Sequence, residues 1–352
     1  MADTIIIDTA TRIFQDLCKP KTINAAEEGV WAEELWDALE ESGLPLTWVS
    51  DEFGGAGAEM TDGFAVLRVA GKFSSPVPVA ETLLAGWLLA QGKITAPGGP
   101  MTLAPVHEDG NIQLGADGKL KGRARHIPFA RGAGHIAVLA AQNGEPVVAL
   151  VEAKGLGITP GISLAGEPQD TVSFDGVTPL VAGAAPGLDC AAVARLGAAA
   201  RTQQMAGALE HILDQSVQYA QDRVQFGRPI SKFQAVQHNL AQLAGEVAAA
   251  GAAADAAAEA VAKEGINGPI VTAEIAVAKV RVGEAASTGA AIAHQVHGAI
   301  GFTKEYSLHH CTRRLWAWRE EFGNETFWAM RLGRMVAAAG AEALWPNITA
   351  GS

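Results

Sequence analysis

Two short segments carry residue types and spacings that could hold a phosphate-bearing cofactor. The first is Arg223-Val-Gln-Phe-Gly-Arg-Pro-Ile-Ser-Lys-Phe-Gln-Ala-Val-Gln237. An arginine beside a Phe226-Gly corner offers a forked, permanently charged donor set that matches a pyrophosphate. The second is Gln295-Val-His-Gly-Ala-Ile-Gly-Phe-Thr-Lys-Glu-Tyr306. Gln295 can donate and accept at an adenine or phosphate edge. Gly298 and Gly301 let backbone approach a ligand closely and free N–H groups for an anion. Taken singly, Gly298-x-x-Gly301 reads as a helix break and Arg223 as a solvated arginine at a helix end. Their joint occurrence, in this order, is the informative feature.

The elements that must position these segments form three stretches. Residues 1–99 read mostly helical: Trp31, Leu35, Trp36 and Leu39 recur at helical spacing, Gly43 ends that run, and a new helix begins near Thr61. Ser74-Ser-Pro-Val-Pro78 interrupts the helical pattern. Residues 100–186 alternate short apolar runs with Gly, Pro, Asn and Asp, as in Ile136-Ala-Val-Leu-Ala140 and Pro146-Val-Val-Ala-Leu-Val151. That texture predicts strands joined by tight turns. Residues 187–352 are helical again. Met205, Leu209, Ile212, Leu213 and Val217 form one stripe, and the alanine-dominated run from Leu240 to Lys263 favours close helix packing. The expected class is α+β, with an N-terminal helical domain, a small β domain and a C-terminal four-helix bundle.

Composition narrows the function classes. A chain of 352 residues with a formal net charge of −12 is large enough for two or three cores, and its charge disfavours nucleic acid or an anionic membrane as main partner. Cys18, Cys190 and Cys311 are far apart and odd in number, as expected of reduced thiols in the cytoplasm. The first residues lack the basic region of a signal peptide, and no apolar run approaches the roughly 20 residues that span a bilayer. His294 and His297, and the pair His309-His310, have no Cys or carboxylate cluster at ligand spacing, so no metal site is expected. Trp316 and Trp318 read as packing residues.

The three-part plan and the two motifs resemble the acyl-CoA dehydrogenases, flavoenzymes that desaturate coenzyme A thioesters. Arg223-x-Gln-Phe-Gly and Gln295-x-x-Gly-x-x-Gly-Phe are the specific points of similarity. Asp51-Glu-Phe-Gly-Gly-Ala-Gly57 is similar to a family turn, and Phe174-Asp-Gly-Val177 to the strand that closes the family's β domain. The resemblance implies that Arg223, Phe226, Gln295, Gly298 and Gly301 contact the ADP part of FAD held by a neighbouring subunit. FAD and an oligomer are therefore implied together.

The family's chemistry needs a carboxylate base, and this chain departs from the pattern there. Counting nine residues on from Arg313, where the family keeps a glutamate, lands on Phe322. An alternative family position, counted back from Arg223, lands on Gly197, with no acid between Asp189 and Glu210. Glu321 is one residue from the expected site, a rotation of about 100° on a helix, and reads as a surface or partner-facing acid or else as a displaced base. The stretches matching the family's flavin-wrapping elements are also altered, to Thr102-Leu-Ala-Pro-Val-His-Glu-Asp-Gly-Asn111 and His126-Ile-Pro-Phe129. The resemblance thus implies a non-catalytic subunit of a heteromeric α2β2 dehydrogenase. A sister subunit would supply the glutamate, the substrate would be an acyl-CoA, typically steroid-derived, and the acceptor an electron-transfer flavoprotein. Two alternatives stand beside it: a self-sufficient homo-oligomer using Glu321 or Glu320, and a flavin-free structural subunit with the same fold.

Overall fold

The computed structural model describes residues 2–349. By its internal contacts the chain divides into two units, one made of Met1–Ala70 and Ser75–Gly197, the other of Gly71–Ser74 and Ala198–Ser352.

The first unit begins with α1 (Thr4–Leu17), α2 (Pro20–Glu27) and α3 (Glu33–Glu41). Leu35, Trp36 and Leu39 bury the apolar face of α3, while Trp31 lies before the helix and is partly exposed. Asp3 caps α1 by accepting from the Ile5 N–H, which satisfies a donor that the helix start would leave orphaned. The turn 51–57 follows; a Cβ on Gly55 would collide with the Val49 carbonyl, so only glycine fits there. Next come α4 (Met60–Lys72), whose last residues belong to the second unit, and α5 (Val79–Gln91), buried on nearly all sides. That helix packs on the sheets: Thr82 Oγ1 donates to the Met101 carbonyl at 3.2 Å and accepts from its N–H at 3.1 Å.

The strands are β1 (Met101–Ala104), β2 (Gln113–Leu114), β3 (Leu120–Lys121), β4 (Arg123–Pro128), β5 (His135–Gln142), β6 (Glu145–Glu152), β7 (Gly157–Thr159), β8 (Gln169–Ser173) and β9 (Val181–Ala184). One sheet runs β3-β2-β5-β6-β9 with β1 parallel to β5; the other runs β4-β8-β7. The β5–β6 hairpin turns on Asn143 and Gly144, both left-handed at φ 53° and 87°. Asn-Gly suits such a turn because its twist matches that of the strands. The segment Phe174–Val177 is a turn rather than a strand, with Val177 bridged to Leu120.

The second unit is built from most of α6 (Cys190–Asp222), a hairpin of β10 (Val224–Gln225) and β11 (Arg228–Pro229), then α7 (Gln234–Glu264), α8 (Pro269–His297), α9 (Leu308–Glu320), α10 (Glu325–Ala339) and α11 (Ala341–Thr349). Its core includes Met205, Leu209 and Ile212, Leu243 and Val247, Val282 and Leu315. Small residues such as Ala250, Ala254, Ala285 and Ala286 fill the seams between helices. The expected stripe on α6 is therefore core, with Leu213 and Val217 at its edge.

Leu209 is fully buried in this core. Leu209→Ala should lower unfolding stability by about 2–5 kcal/mol, a transfer and cavity cost, read from urea denaturation of the full chain.

Candidate flavin-facing end and the α9–α10 corner

The two motifs meet at one end of the second unit. α6 stops at Asp222, and the Arg223 N–H still donates to the Tyr219 carbonyl at 2.9 Å. The chain then folds into the two-stranded hairpin through Phe226 and Gly227, both left-handed at φ 51° and 78°. Phe226 at the tip is 92% exposed and meets Phe233 edge-on. Arg228 lies over the Phe233 ring at 4.4 Å. Arg223 is itself exposed.

Tyr219 ties this hairpin to the other motif. Its ring stacks on His297 at 4.4 Å, and its hydroxyl donates to the His297 carbonyl at 3.3 Å. Gln295, two residues earlier, is exposed on the last turn of α8. Gly298 ends that helix with φ 62° and faces open space, as a backbone offered to a ligand would. Gly301 differs: it is buried, and a Cβ there would stand 2.9 Å from the His297 Cβ, so packing alone requires glycine. Arg223, Phe226, Gln295 and Gly298 thus share an exposed end, while Gly301 supports it from within.

The histidines serve the packing. His294 Nε2 hydrogen-bonds Thr312 Oγ1 at 3.0 Å, and His297 Nδ1 bonds the Ala293 carbonyl at 2.7 Å. Burial pushes both below the usual imidazole range. His310 is pushed down to about 3 by burial and by His309, Arg314 and Arg313. Trp318 is core, and Trp316 lies at the edge of a stack with His294. Among the described residues no group of three His, Cys, Asp or Glu side chains could hold a metal ion.

The α9–α10 corner, where the family pattern places its glutamate, is occupied differently. α9 ends at Glu320, and Phe322 takes a left-handed conformation, φ 53°, with Gly323 at 93°. Phe322 is buried, its carbonyl accepts the Trp328 Nε1–H at 3.0 Å, and Asn324 caps α10 by accepting from the Phe327 N–H. Glu321 is largely withdrawn from the surface. Its side chain is 10% exposed, and Oε2 accepts from Arg201 Nε and Nη2, both at 2.7 Å. The helical rotation argument does not apply because the helix has already ended. Arg201 also donates to Gln204 Oε1 and lies 5.7 Å from the Trp318 ring. Glu320, by contrast, is exposed and accepts from Asn324 Nδ2 at 3.1 Å.

Lys279 completes this corner. It is buried, and Nζ donates to the carbonyls of Glu321, Arg319 and Trp318 at 2.9, 3.0 and 3.4 Å. The Arg319 and Glu321 carbonyls lie where intrahelical donors run out, and the Trp318 carbonyl also accepts the Glu321 N–H at 3.2 Å. Burial pushes its ammonium down to about 7, against the pull of Glu321 and Glu325. Sequence reading missed Arg201, Lys279 and Tyr219. A signal for two of them was present: Arg201 directly follows Ala198-Ala-Ala200 and Lys279 follows Ala276-Val-Ala278, charges placed next to small apolar runs of a helix. Gly197, the other vacant family position, is a buried residue of α6.

Residues 2–93 match the acyl-CoA dehydrogenase N-terminal domain, and residues 189–336 the acyl-CoA dehydrogenase C-terminal domain. The chain is 31% identical over 306 residues to the acyl-CoA dehydrogenase IpdE2 of Mycobacterium tuberculosis, covering 86% of this chain and 87% of that protein. In fold it is similar to a chain of the ChsE4–ChsE5 complex from the same organism, with a TM-score of 0.86, 23% identity and coverage of 97% and 99%. It is also similar to a chain of the Tcur3481–Tcur3483 steroid ACAD G363A variant, with a TM-score of 0.83, 24% identity and coverage of 96% and 98%.

Breaking the buried Arg201–Glu321 pair by Glu321→Gln should destabilise the protein by about 3–5 kcal/mol, because the guanidinium is left buried without its counter-charge. The double variant Arg201→Met/Glu321→Leu should recover most of the loss in urea titrations. Lys279 sets a pH dependence. Its folded pKa, about 7, lies below the ordinary 10.5 of an unfolded chain. Between these values the unfolded chain binds the extra proton, so stability rises with pH across that window. The melting temperature of wild type, relative to Lys279→Met, should therefore increase from pH 7 to pH 10.

Proposed function

The chain belongs to the acyl-CoA dehydrogenase family, and we propose that it is the non-catalytic subunit of a heteromeric, FAD-dependent member. Its role is to hold the ADP side of the FAD while a sister subunit supplies the base. The observation that carries this reading is the contrast between the two ends of the second unit. The cofactor-facing side chains are exposed and unspent, whereas the position of the base is a buried phenylalanine beside an acid committed to Arg201.

The residues present fit the ADP side of the group. Arg223 supplies a charge-assisted donor fork for the pyrophosphate, Gln295 a polar edge, and Gly298 a backbone that a ligand can approach without meeting a side chain. Phe226, 92% exposed on a hairpin tip, offers an aromatic surface that nothing in its own unit covers. When bound, FAD supplies the hydride acceptor for thioester desaturation. This chain's residues position that cofactor and add no proton acceptor of their own.

The named relatives support the class of reaction and of substrate. IpdE2 is an acyl-CoA dehydrogenase, ChsE4–ChsE5 is a complex, and the Tcur3481–Tcur3483 variant is a steroid ACAD. A steroid-derived CoA thioester is accordingly the proposed substrate, and an electron-transfer flavoprotein the proposed acceptor. The self-sufficient reading would have to free Glu321 from Arg201 or use the exposed Glu320; the ion pair weighs against the first.

Purification of the chain alone and co-expressed with an adjacent-gene partner, followed by flavin absorbance and a dye-coupled assay, separates the readings. FAD and activity should appear in the complex only. An active flavoprotein from the single chain would overturn the proposal, and FAD with full activity in the sister subunit purified without this chain would make this a purely structural subunit. In the complex, Arg223→Ala should weaken flavin retention about tenfold or more, the loss of one charge-assisted contact.

A further inference from the structure

We infer that Tyr219 and His297 are positioning residues for the exposed end of the second unit: their stacked rings hold Arg223 and Gln295 at one fixed separation, so that flavin affinity depends on side chains lying behind the surface that meets the cofactor. The inference rests on the reading that this end holds the ADP side of FAD.

Arg223 is tied through its backbone on both sides. Its N–H donates to the Tyr219 carbonyl at 2.9 Å, and its carbonyl accepts from the Ile230 N–H at 2.8 Å. The guanidinium is left exposed, but its root moves with Tyr219. On the other motif, His297 lies between Gln295 and Gly298. It is 3% exposed and held from several directions. Its Nδ1 bonds the Ala293 carbonyl at 2.7 Å; a carbonyl can only accept, so Nδ1 carries the proton. Gly301 packs against its Cβ, and the Tyr306 ring stands 5.0 Å from its own.

One face of α6 reaches this assembly at two successive turns. Tyr219 stacks on His297 at 4.4 Å with 29° between the rings, and its hydroxyl meets the His297 carbonyl in the last turn of α8. Gln215, four residues earlier and on the same face, donates through Nε2 to Ser307 Oγ at 2.9 Å, next to Tyr306. The end of α6 and the end of α8 are thereby fixed to each other just behind the two exposed side chains. That matters because a charge-assisted hydrogen bond weakens steeply with misalignment, and a displacement of about 1 Å is costly to a bound geometry.

A double-variant cycle on the co-expressed complex tests the inference. Flavin retained after dialysis is read by absorbance, and the melting temperature of each flavin-free variant reports folding separately. Tyr219→Leu should weaken retention about tenfold or more, approaching the effect of Arg223→Ala. Tyr219→Phe keeps the stacked ring and should restore most of the retention. Adding Tyr219→Leu to Arg223→Ala should cost little more, because the tyrosine acts through that arginine. His297→Asn removes the other ring of the stack and should reproduce Tyr219→Leu, which keeps the test available if the leucine variant does not fold. Retention unchanged in Tyr219→Leu and His297→Asn, a phenylalanine variant as weak as the leucine one, or full additivity with Arg223→Ala would each overturn the inference. Retention unchanged in Arg223→Ala alone would overturn the flavin reading of this end, and the inference with it.

Discussion

A helix that ends inside a protein leaves its last carbonyls facing a medium that cannot solvate them, and the second unit is organised around answering that demand at the end of α9. Lys279 reaches across from α8 to three carbonyls there. Burying its ammonium carries a cost of its own, offset by those hydrogen bonds and by the nearby carboxylates of Glu321 and Glu325. Glu321 in turn requires Arg201. The result is a closed set of buried charges in which each member needs the others, so the chain path through Phe322 into α10 is strongly specified. Polar capacity that could have served proton transfer is spent on architecture.

The opposite end of the unit has the reverse character. Its backbone is held firmly, through the Tyr219 carbonyl and hydroxyl, the stacked His297 and the capped end of α8. The side chains proposed to face the cofactor, Arg223, Phe226 and Gln295, are exposed. A rigid frame presenting exposed cationic, aromatic and amide groups loses little entropy when a ligand arrives. On the proposed reading, function is carried by what this end displays, whereas the charges at the α9–α10 corner are committed to packing.

Much of this was legible in advance. The α6 stripe, the alanine-rich α7, the strand runs 136–140 and 146–151 and the position of the two motifs follow from periodicity and turn chemistry, which act over a few residues. The reading of Glu321 was incomplete for a physical reason. Its orientation was extrapolated along a helix, but the helix ends one residue earlier, and its partner Arg201 lies 120 positions away. Gly301 likewise reads as a ligand-facing glycine, whereas its space is taken by His297 and Leu308.

By itself the amino-acid sequence determined the order of helical and stranded parts, the family, and the absence of a carboxylate at both family positions, although Phe174–Val177, similar to a family strand, is a turn. These depend on residue identity and local spacing. Tertiary structure alone decided which charges were consumed as partners and which remained available, because burial and pairing arise between residues distant in the chain. Arg201 met Glu321, Lys279 met the end of α9, and Tyr219 joined Arg223 to His297 only once the helices had packed.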